Sequence, residues 1–360
     1  MKKFNNLKTD NLKIKEIETP SDWDRYVIGH KKSGYCHLFD WSRVISEIYH
    51  HKPIYLAAVK ESPGNSEEIC GILPLFRFKT LTGRLRLVSI PFFDTAGILA
   101  QDRKTQSFLF RQSKAFCMKK RISGMDLRQD MPLNIANMKI NGAVPNVYSA
   151  KVGLNITISG SQQVMMDIFK SKLRSQIRKG RKNGLTWKIG KKELLPHFYH
   201  VFSRNMRDLG SPVHSKKFFN AVFTHFYHHS FICVVFYRST PVAASFMFRF
   251  KKKISNPWAS SVREFRHLNS NMFLYWQMIR FACNLCMETF DMGRSSRGVS
   301  TYLFKKQWNP EENQLFWYHW DRPEKCMGTL RETLAIKPWE KLPLGMANLL
   351  GPLVRKNISL

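Results

Sequence analysis

The chain writes one run of elements twice, and that duplication constrains its fold more than any single motif. IYLAAVKE (54–61) is answered by FICVVFYRS (231–239), and CGILPLFRFK (70–79) by VAASFMFRFK (242–251). The closing LFRFK and MFRFK agree at four of five positions. Paired apolar runs rich in β-branched and aromatic residues predict hairpins, the first of them around a Pro-Gly-Asn-Ser turn. In each half a proline-bearing strand follows (RLRLVSIPFF, 84–93; ISNPWAS, 254–260), then a helical stretch, then a short strand (MDLRQD, 125–130; ETFDM, 288–292). Pro91 favours an edge or a bulge, because proline has no N–H to give to a ladder. Hairpin, strand, helix and strand, repeated, imply two α/β domains of similar build around mixed sheets.

Size agrees with this plan: 360 residues exceed what one ordinary core serves, and 43% hydrophobic residues suffice to fill two. The formal charge of +32 points to polyanionic partners, whether nucleic acid, nucleotide-linked substrates or an anionic membrane face. Seven cysteines without framework spacing fit free thiols in a reducing compartment. The basic N-terminus has no apolar stretch behind it, so no secretory signal is expected, and no run reaches the roughly 18 to 20 apolar residues of a membrane span. A cytoplasmic location follows as the expectation. PLGMANLLGPLV (343–354), bracketed by Trp339, Lys341, Arg355 and Lys356, has the make-up either of a segment resting on the inner face of an anionic membrane or of one docked on its own protein.

A strand is expected near the N-terminus, followed by helices at 19–28, 39–50 and 105–118, the first capped by Thr19 or Ser21 with Pro20 in its first turn. Between the halves, VMMDIFKSKLRSQIRKGRKNG (164–184) alternates Met165, Ile168, Leu173 and Ile177 with seven cations. That spacing predicts one amphipathic helix ending at Gly184, its positive side either contacting phosphates or facing water.

The stretch from Asn256 to Trp308 concentrates the chemistry: a strand end with Trp258, Ser260 and Ser261, the pair Arg263 and Arg266, a long helix, a short strand, and a loop ending in Phe304 and Lys305. RSQIRKGRKNGL, NMRDLGSPVHSKKFF, NPWASSVREF, NMFLYWQMIRFA, FDMGRSS and TYLFKKQW, in this order, resemble the Fem-type (FemAB-like) acyltransferases, in the branch associated with PEP-CTERM and exosortase loci. HHKPIYLAAV, GILPL and GRLRLVSIPFFDTAGILA are similar to that family's first domain, and WEKLPLGMANLLGPLVRKNI to its tail. The resemblance covers nearly the whole chain. It implies an α/β (α+β) fold of tandem duplicated GNAT-like (N-acetyltransferase-like) domains, with mixed β-sheets flanked by helices. The expected division is a first GNAT-like domain over 1–160, a basic linker helix over 161–190, a second GNAT-like domain over 191–335 and a tail over 336–360.

The resemblance also implies transfer of an acyl group to an amine. Fem proteins take an amino acid from aminoacyl-tRNA and add it to a peptidoglycan precursor, whereas the PEP-CTERM-associated branch is tied to exopolysaccharide or surface-protein systems. The donor is thus either aminoacyl-tRNA or acyl-CoA, and the acceptor an anionic precursor. An acyl-CoA GNAT carries Gln or Arg, then x-x-Gly-x-Gly or Ala, to hold the pyrophosphate at a helix start. The nearest run here, Arg294-Ser295-Ser296-Arg297-Gly298-Val299-Ser300, lacks that spacing, so no cofactor is assigned. Where the branch shows a glycine pair, this chain has Asp94-Thr95-Ala96-Gly97.

Amine attack on an ester or thioester needs a neutral amine, a donor for the carbonyl oxygen and a proton for the leaving group. Lys305, in the Phe-Lys pair of the resemblance, is the candidate to hold a phosphate or the developing oxyanion, or is a surface lysine beside Lys306. Asp291, at the end of its short strand, either orients the amine or caps the next loop. Arg294, Ser295 and Ser296 beside Gly293 read as an anion-binding turn. Trp258 and Tyr275 line a channel or belong to the core, Arg263 meets phosphate or solvent, and Arg207 is expected to pair with Asp208. His225 and His229 lack a third ligand at zinc spacing, so no metal is expected. Cys283 and Cys286 read as buried core thiols. The leading expectation is direct attack by an acceptor amine in a cleft between the domains, carried by Lys305, Arg294 and Asp291. The rivals are a CoA-dependent sugar N- or O-acetyltransferase and a non-catalytic, membrane-associated assembly factor.

Overall fold

The computed structural model describes residues 12–61, 67–134, 139, 144–320 and 339–359. The first elements are β1 (Leu12–Glu16), α1 (Pro20–Gly29), α2 (Trp41–Tyr49), β2 (Lys52–Glu61), β3 (Glu67–Lys79), β4 (Leu85–Ser89), β5 (Leu99–Ala100), α3 (Arg103–Lys119) and β6 (Gly124–Gln129). Then come β7 (Asn146–Tyr148), β8 (Lys151–Thr157), α4 (Gln162–Ile168), α5 (Ser171–Lys182), β9 (Leu185–Gly190), α6 (Leu195–Asp208) and α7 (Lys216–Phe226). The chain continues with β10 (Ser230–Tyr237), β11 (Thr240–Phe250), β12 (Lys253–Ser261), α8 (Ser270–Asn284) and β13 (Thr289–Ser296). Last are α9 (Ser300–Lys306), β14 (Glu311–Gln314), β15 (Phe316–His319) and a final helix, α10 (Leu344–Arg355).

Two compact units result, the first drawn from Met1–Ser149, Gln314–Leu330 and Lys356–Leu360, the second from Ala150–Asn313 and Arg331–Arg355. Each holds one mixed sheet of the duplicated plan. In the first the strand order is β1-β2-β3-β4-β6-β15-β7, with β5 beside β3. The hairpin β2–β3 is antiparallel, β4 adds antiparallel to β3, and after α3 the strand β6 returns parallel to β4. The second sheet runs β14-β8-β13-β12-β11-β10-β9, with β10–β11–β12 antiparallel and β13 parallel to β12 after α8. A parallel return needs a crossover, and a helix after the third strand supplies it in both units. The turn at 62–66, where the Pro-Gly-Asn-Ser reading falls, lies outside the described residues, as do 1–11.

Burial follows the sequence pattern. The alternate residues Ile54, Leu56 and Ala58 of β2 and Leu73 and Leu75 of β3 face α3, which contributes Phe108 and Leu109 to the same core. Arg86 and Asp126, both buried, pair at 2.7 Å across β4 and β6, and His319 of β15 adds a 2.8 Å contact to the same carboxylate. The second core centres on α8, buried on most of its surface from Met272 to Ala282, with Leu173 and Ile177 of α5 against it.

Several expectations change here. Pro91 stands neither at an edge nor in a bulge: β4 is an interior strand that ends at Ser89, and Pro91 lies beyond it. The single basic helix expected at 164–184 is two helices, broken at Phe169, whose backbone is extended (φ −77°, ψ 143°). Its buried ring packs edge-on against Trp276 (6.1 Å) and Trp308 (5.3 Å), which draws the chain out of helical geometry. Ile168 is 59% exposed rather than core. The 161–190 segment is built into the second unit instead of standing apart as a linker. Cys286 follows the end of α8 and is exposed, and Cys283 is half-buried, so neither is a core thiol. Thr19 occupies the N-cap of α1 without a side-chain capping bond.

Candidate functional site

β12 and β13 pair in parallel as Lys253 with Thr289, Ile254 with Phe290 and Ser255 with Asp291. Pairing stops there, although β12 runs on to Ser261 and β13 to Ser296. Two irregularities produce the parting. On β12, Asn256 and Pro257 together oppose the single residue Met247 of β11, a bulge at which proline's missing N–H costs no ladder bond. On β13 the register with β8 shifts between Asp291 and Arg294, and Gly293 adopts φ +72°. A Cβ at Gly293 would lie 3.3 Å from the Asn256 carbonyl oxygen, so glycine suits both the angle and the close approach.

Side chains from four elements converge on this point. The Asp291 carboxylate accepts from Ser255 Oγ (3.1 Å) and from the Gly293 N–H (2.8 Å). Lys305 of α9, only 8% exposed, donates through Nζ to the carbonyl oxygens of Gly293 (3.1 Å) and Arg294 (2.8 Å). Tyr275 of α8 is buried, its ring edge-on to Phe304 (5.0 Å) and tilted against Trp308 (6.0 Å). Burial pushes the Tyr275 phenol up from its ordinary pKa, the Asn256 amide opposes this, and the Asp291 charge reinforces it. The phenol therefore keeps its proton throughout the neutral range and is a hydrogen-bond donor there. Asn256 Oδ1 accepts from Ser245 Oγ at 2.6 Å.

Glu312 fixes the helix that carries Lys305. It accepts from the Tyr302 hydroxyl (2.6 Å) and from Lys306 (3.1 Å), both on α9, and from Arg297 Nε (3.1 Å). The Tyr302 hydroxyl first, and then Lys306 and Arg297, hold its pKa down to about 2.

Of the residues singled out in the sequence, Lys305, Asp291, Tyr275 and the Arg294 backbone meet at the parting. Asp291 lies within β13 rather than at its end. Arg294, Ser295 and Ser296 form no turn: they continue β13, laddered to Gly153, Val152 and Lys151 of β8, and the Lys151 ammonium donates to Ser296 Oγ. The other candidates make separate contacts. Trp258 belongs to an aromatic wall with Phe219 (5.2 Å), Phe246 (5.6 Å) and Phe218 (5.7 Å). Ser260 accepts from Asn205 Nδ2 (3.1 Å), and Ser261 closes β12, buried. Arg207 pairs with Asp208 at 2.6 Å. Arg263 and Arg266 are exposed on the short 3-10 helix Arg263–Leu268 that precedes α8.

Two features escaped sequence reasoning. Asn256 is a buried amide in the middle of a strand, a disfavoured residue beside a proline, and that pairing is the signal that could have exposed it. The second is the loop before α8, which occupies the strand–loop–helix position where the pyrophosphate template belongs. There Arg266-His267-Leu268-Asn269-Ser270-Asn271 keeps the arginine and substitutes asparagine for both small positions, and Asn269 takes the left-handed conformation (φ 61°) that glycine usually provides.

Residues 169–306 match the family described as acetyltransferase (GNAT) domain, a span that runs from Phe169 through Lys306 and takes in the whole convergence. No curated relative matches the chain. Among solved structures, "Crystal structure of FemX" aligns over 88% of this chain and 99% of that one, with TM-score 0.66 and 13% identity. A tandem GNAT protein from the clavulanic acid biosynthesis pathway aligns over 87% and 99%, with TM-score 0.53 and 8% identity. The C-terminal domain of a putative lysylphosphatidylglycerol synthetase from Agrobacterium fabrum aligns over 79% and 88%, with TM-score 0.52 and 10% identity. At such identities the likeness is one of fold. The chain thus has a tandem GNAT-like fold, and the match of residues 169–306 to an acetyltransferase (GNAT) domain supports an acyltransferase.

Proposed function

We propose that the protein transfers an acyl or aminoacyl group to an amine borne on a cell-envelope or exopolysaccharide precursor. The observation that carries this reading is the parting of β12 and β13 beside a protonated phenol. Beyond Ser255, β12 has backbone groups without partners on β13, which suits an extended donor chain. Tyr275, whose phenol is influenced by Asn256 and Asp291, is the group we assign to the donor's carbonyl. The amine attacks the carbonyl carbon, the carbonyl oxygen gathers charge, and the leaving group departs with a proton. The Tyr275 O–H is assigned to that oxygen or to the leaving group, and Asp291 to the attacking amine. Lys305 is assigned to holding the Gly293–Arg294 backbone in place, and the Arg294 guanidinium to an anionic group of the substrate.

Aminoacyl-tRNA is the favoured donor. The fold likeness to FemX and to the lysylphosphatidylglycerol synthetase domain supports aminoacyl transfer, and the +32 charge suits a polyanion. The PEP-CTERM resemblance supplies the acceptor class. One observation favours an acyl-CoA donor for a sugar acceptor instead: the loop before α8 with Arg266 and the left-handed Asn269. Binding separates the readings. Retention of charged tRNA on a filter, with indifference to immobilised CoA, is the expected result, and the reverse establishes the CoA-dependent reading. Binding of neither, with Lys305→Ala and Arg294→Ala leaving the cellular phenotype intact, leaves the non-catalytic assembly factor.

A further inference from the structure

The final helix, α10, is docked along one side and bare along the other. On the docked side Ala347, Gly351 and Arg355 are buried at successive turns, and a Cβ on Gly351 would meet the Val213 side chain at 2.8 Å. Arg355 Nε donates to His214 Nε2 (3.2 Å), and His214 is so thoroughly buried that desolvation first, and the Arg355 charge second, keep its imidazole neutral and able to accept. The bare side carries Met346 (50% exposed), Leu349 (72%), Leu350 (37%) and Leu353 (59%). Their spacing of three, four and seven residues places them on one arc of about 100°, a continuous apolar stripe facing outward. The fixed inner side means the stripe cannot turn inward without breaking the Arg355–His214 contact.

The segment around the stripe is cationic on balance. Across residues 339–359 one acid, Glu340, stands against Lys341, Arg355 and Lys356; Lys341 and Lys356 are exposed at the two ends of the helix, and Lys216 and Lys217 are exposed just after the Val213–His214 segment on which α10 sits. At 12 residues α10 is too short to span a bilayer, and no helix among the described residues is long and apolar enough to cross one. An apolar stripe within a lysine border matches the interface of an anionic bilayer, where the side chains enter the acyl boundary and the ammonium groups meet lipid phosphates. We infer that α10 is a surface-lying membrane contact, seating the chain on anionic lipid through Met346, Leu349, Leu350 and Leu353. This inference does not depend on the reaction proposed above.

The test uses the full chain with sedimented vesicles, either phosphatidylcholine alone or phosphatidylcholine with about a third phosphatidylglycerol. The native chain is expected to partition onto the anionic vesicles and only weakly onto the neutral ones. The double variant Leu349→Glu/Leu353→Glu, whose side chains are already in solvent and whose thermal melting should match the native chain, is expected to lose about tenfold or more of that partitioning. Lys216→Glu/Lys217→Glu should weaken it several-fold while leaving the stripe untouched. Native partitioning that survives the double leucine variant would overturn the inference and assign binding to basic surface elsewhere. So would a chain that ignores both vesicles and sediments as a dimer made monomeric by the same variant, because a second copy would then cover the stripe.

Discussion

Lys305 Nζ lies 2.8 Å from the carbonyl oxygen of Arg294 and 3.1 Å from that of Gly293, so a buried cation on α9 holds two consecutive peptides of β13. The peptides it holds are those at which β13 leaves β12, and Asp291 secures the same backbone segment through the Gly293 N–H. A charge committed in this way shapes the site.

Replacing Lys305 with methionine keeps the bulk of the side chain and removes both bonds. The expected loss of stability is roughly 2 kcal/mol, since hydrogen bonds to charged groups carry about that much and the two carbonyls lose their donor. Denaturant unfolding reads it. Transfer activity should fall by about a hundredfold or more, because the Gly293–Arg294 backbone loses its brace.

Tyr275→Phe separates packing from chemistry. The ring contacts with Phe304 and Trp308 persist, so the melting temperature should move little, while turnover should drop by about ten- to a hundredfold. The phenol's pKa is raised, so the folded state favours its neutral form. The native enzyme should therefore show no loss of activity from ionisation of Tyr275 as the pH rises to about 10, the ordinary value for tyrosine. A rate profile to pH 10 checks this.

Gly293→Ala combines a positive φ with a contact against the Asn256 carbonyl. The substitution should cost about 1 to 2 kcal/mol and lower activity more than stability alone explains. Gly298→Ala, also at positive φ (81°) but with open space around it, should lower stability by about 1 kcal/mol and leave the donor site intact.

Asp24 sets a pH dependence in the first unit. Burial raises its carboxyl pKa to about 6, the Phe39 N–H it accepts from opposes this, and Asp40 adds to it. A folded-state pKa above the unfolded value means that the folded state binds the proton more tightly. Stability attributable to Asp24 is thus full below the ordinary value of 3.8, and is lost as the pH rises from there through about 6. Asp24→Asn, which can still accept from Phe39, should raise the melting temperature at pH 8 and leave it nearly unchanged at pH 4.

The duplicated sheets were legible because each hairpin, strand, helix and strand is local and its apolar pattern is strong. What was not legible depends on partners distant in the chain. β15 joins the first sheet beside β6 although nearly two hundred residues separate them, and no local pattern announces that pairing. The break at Phe169 depends on Trp276 and Trp308, which only the fold brings near. Gly293-Arg294-Ser295-Ser296 has the composition of a turn, yet the ladder to β8 makes it a strand. Lys305 stood out in the sequence through the Phe-Lys pair of the resemblance and Asp291 through its place on a short strand, but that Lys305 braces a backbone segment follows only from the coordinates. Asn256 was passed over because an asparagine in a strand reads as a flaw until the bulge opposite Met247 is seen.

Acyl transfer is proposed to take place where β12 and β13 part. Its most direct test is a crystal structure of the protein with a non-hydrolysable donor, either an aminoacylated tRNA-end analogue or a thioether analogue of acyl-CoA. Donor density is expected between the two strands, with the carbonyl position within a hydrogen bond of about 3 Å of the Tyr275 hydroxyl. A donor bound elsewhere on the second unit, with Tyr275, Asn256 and Gly293 untouched, would contradict it.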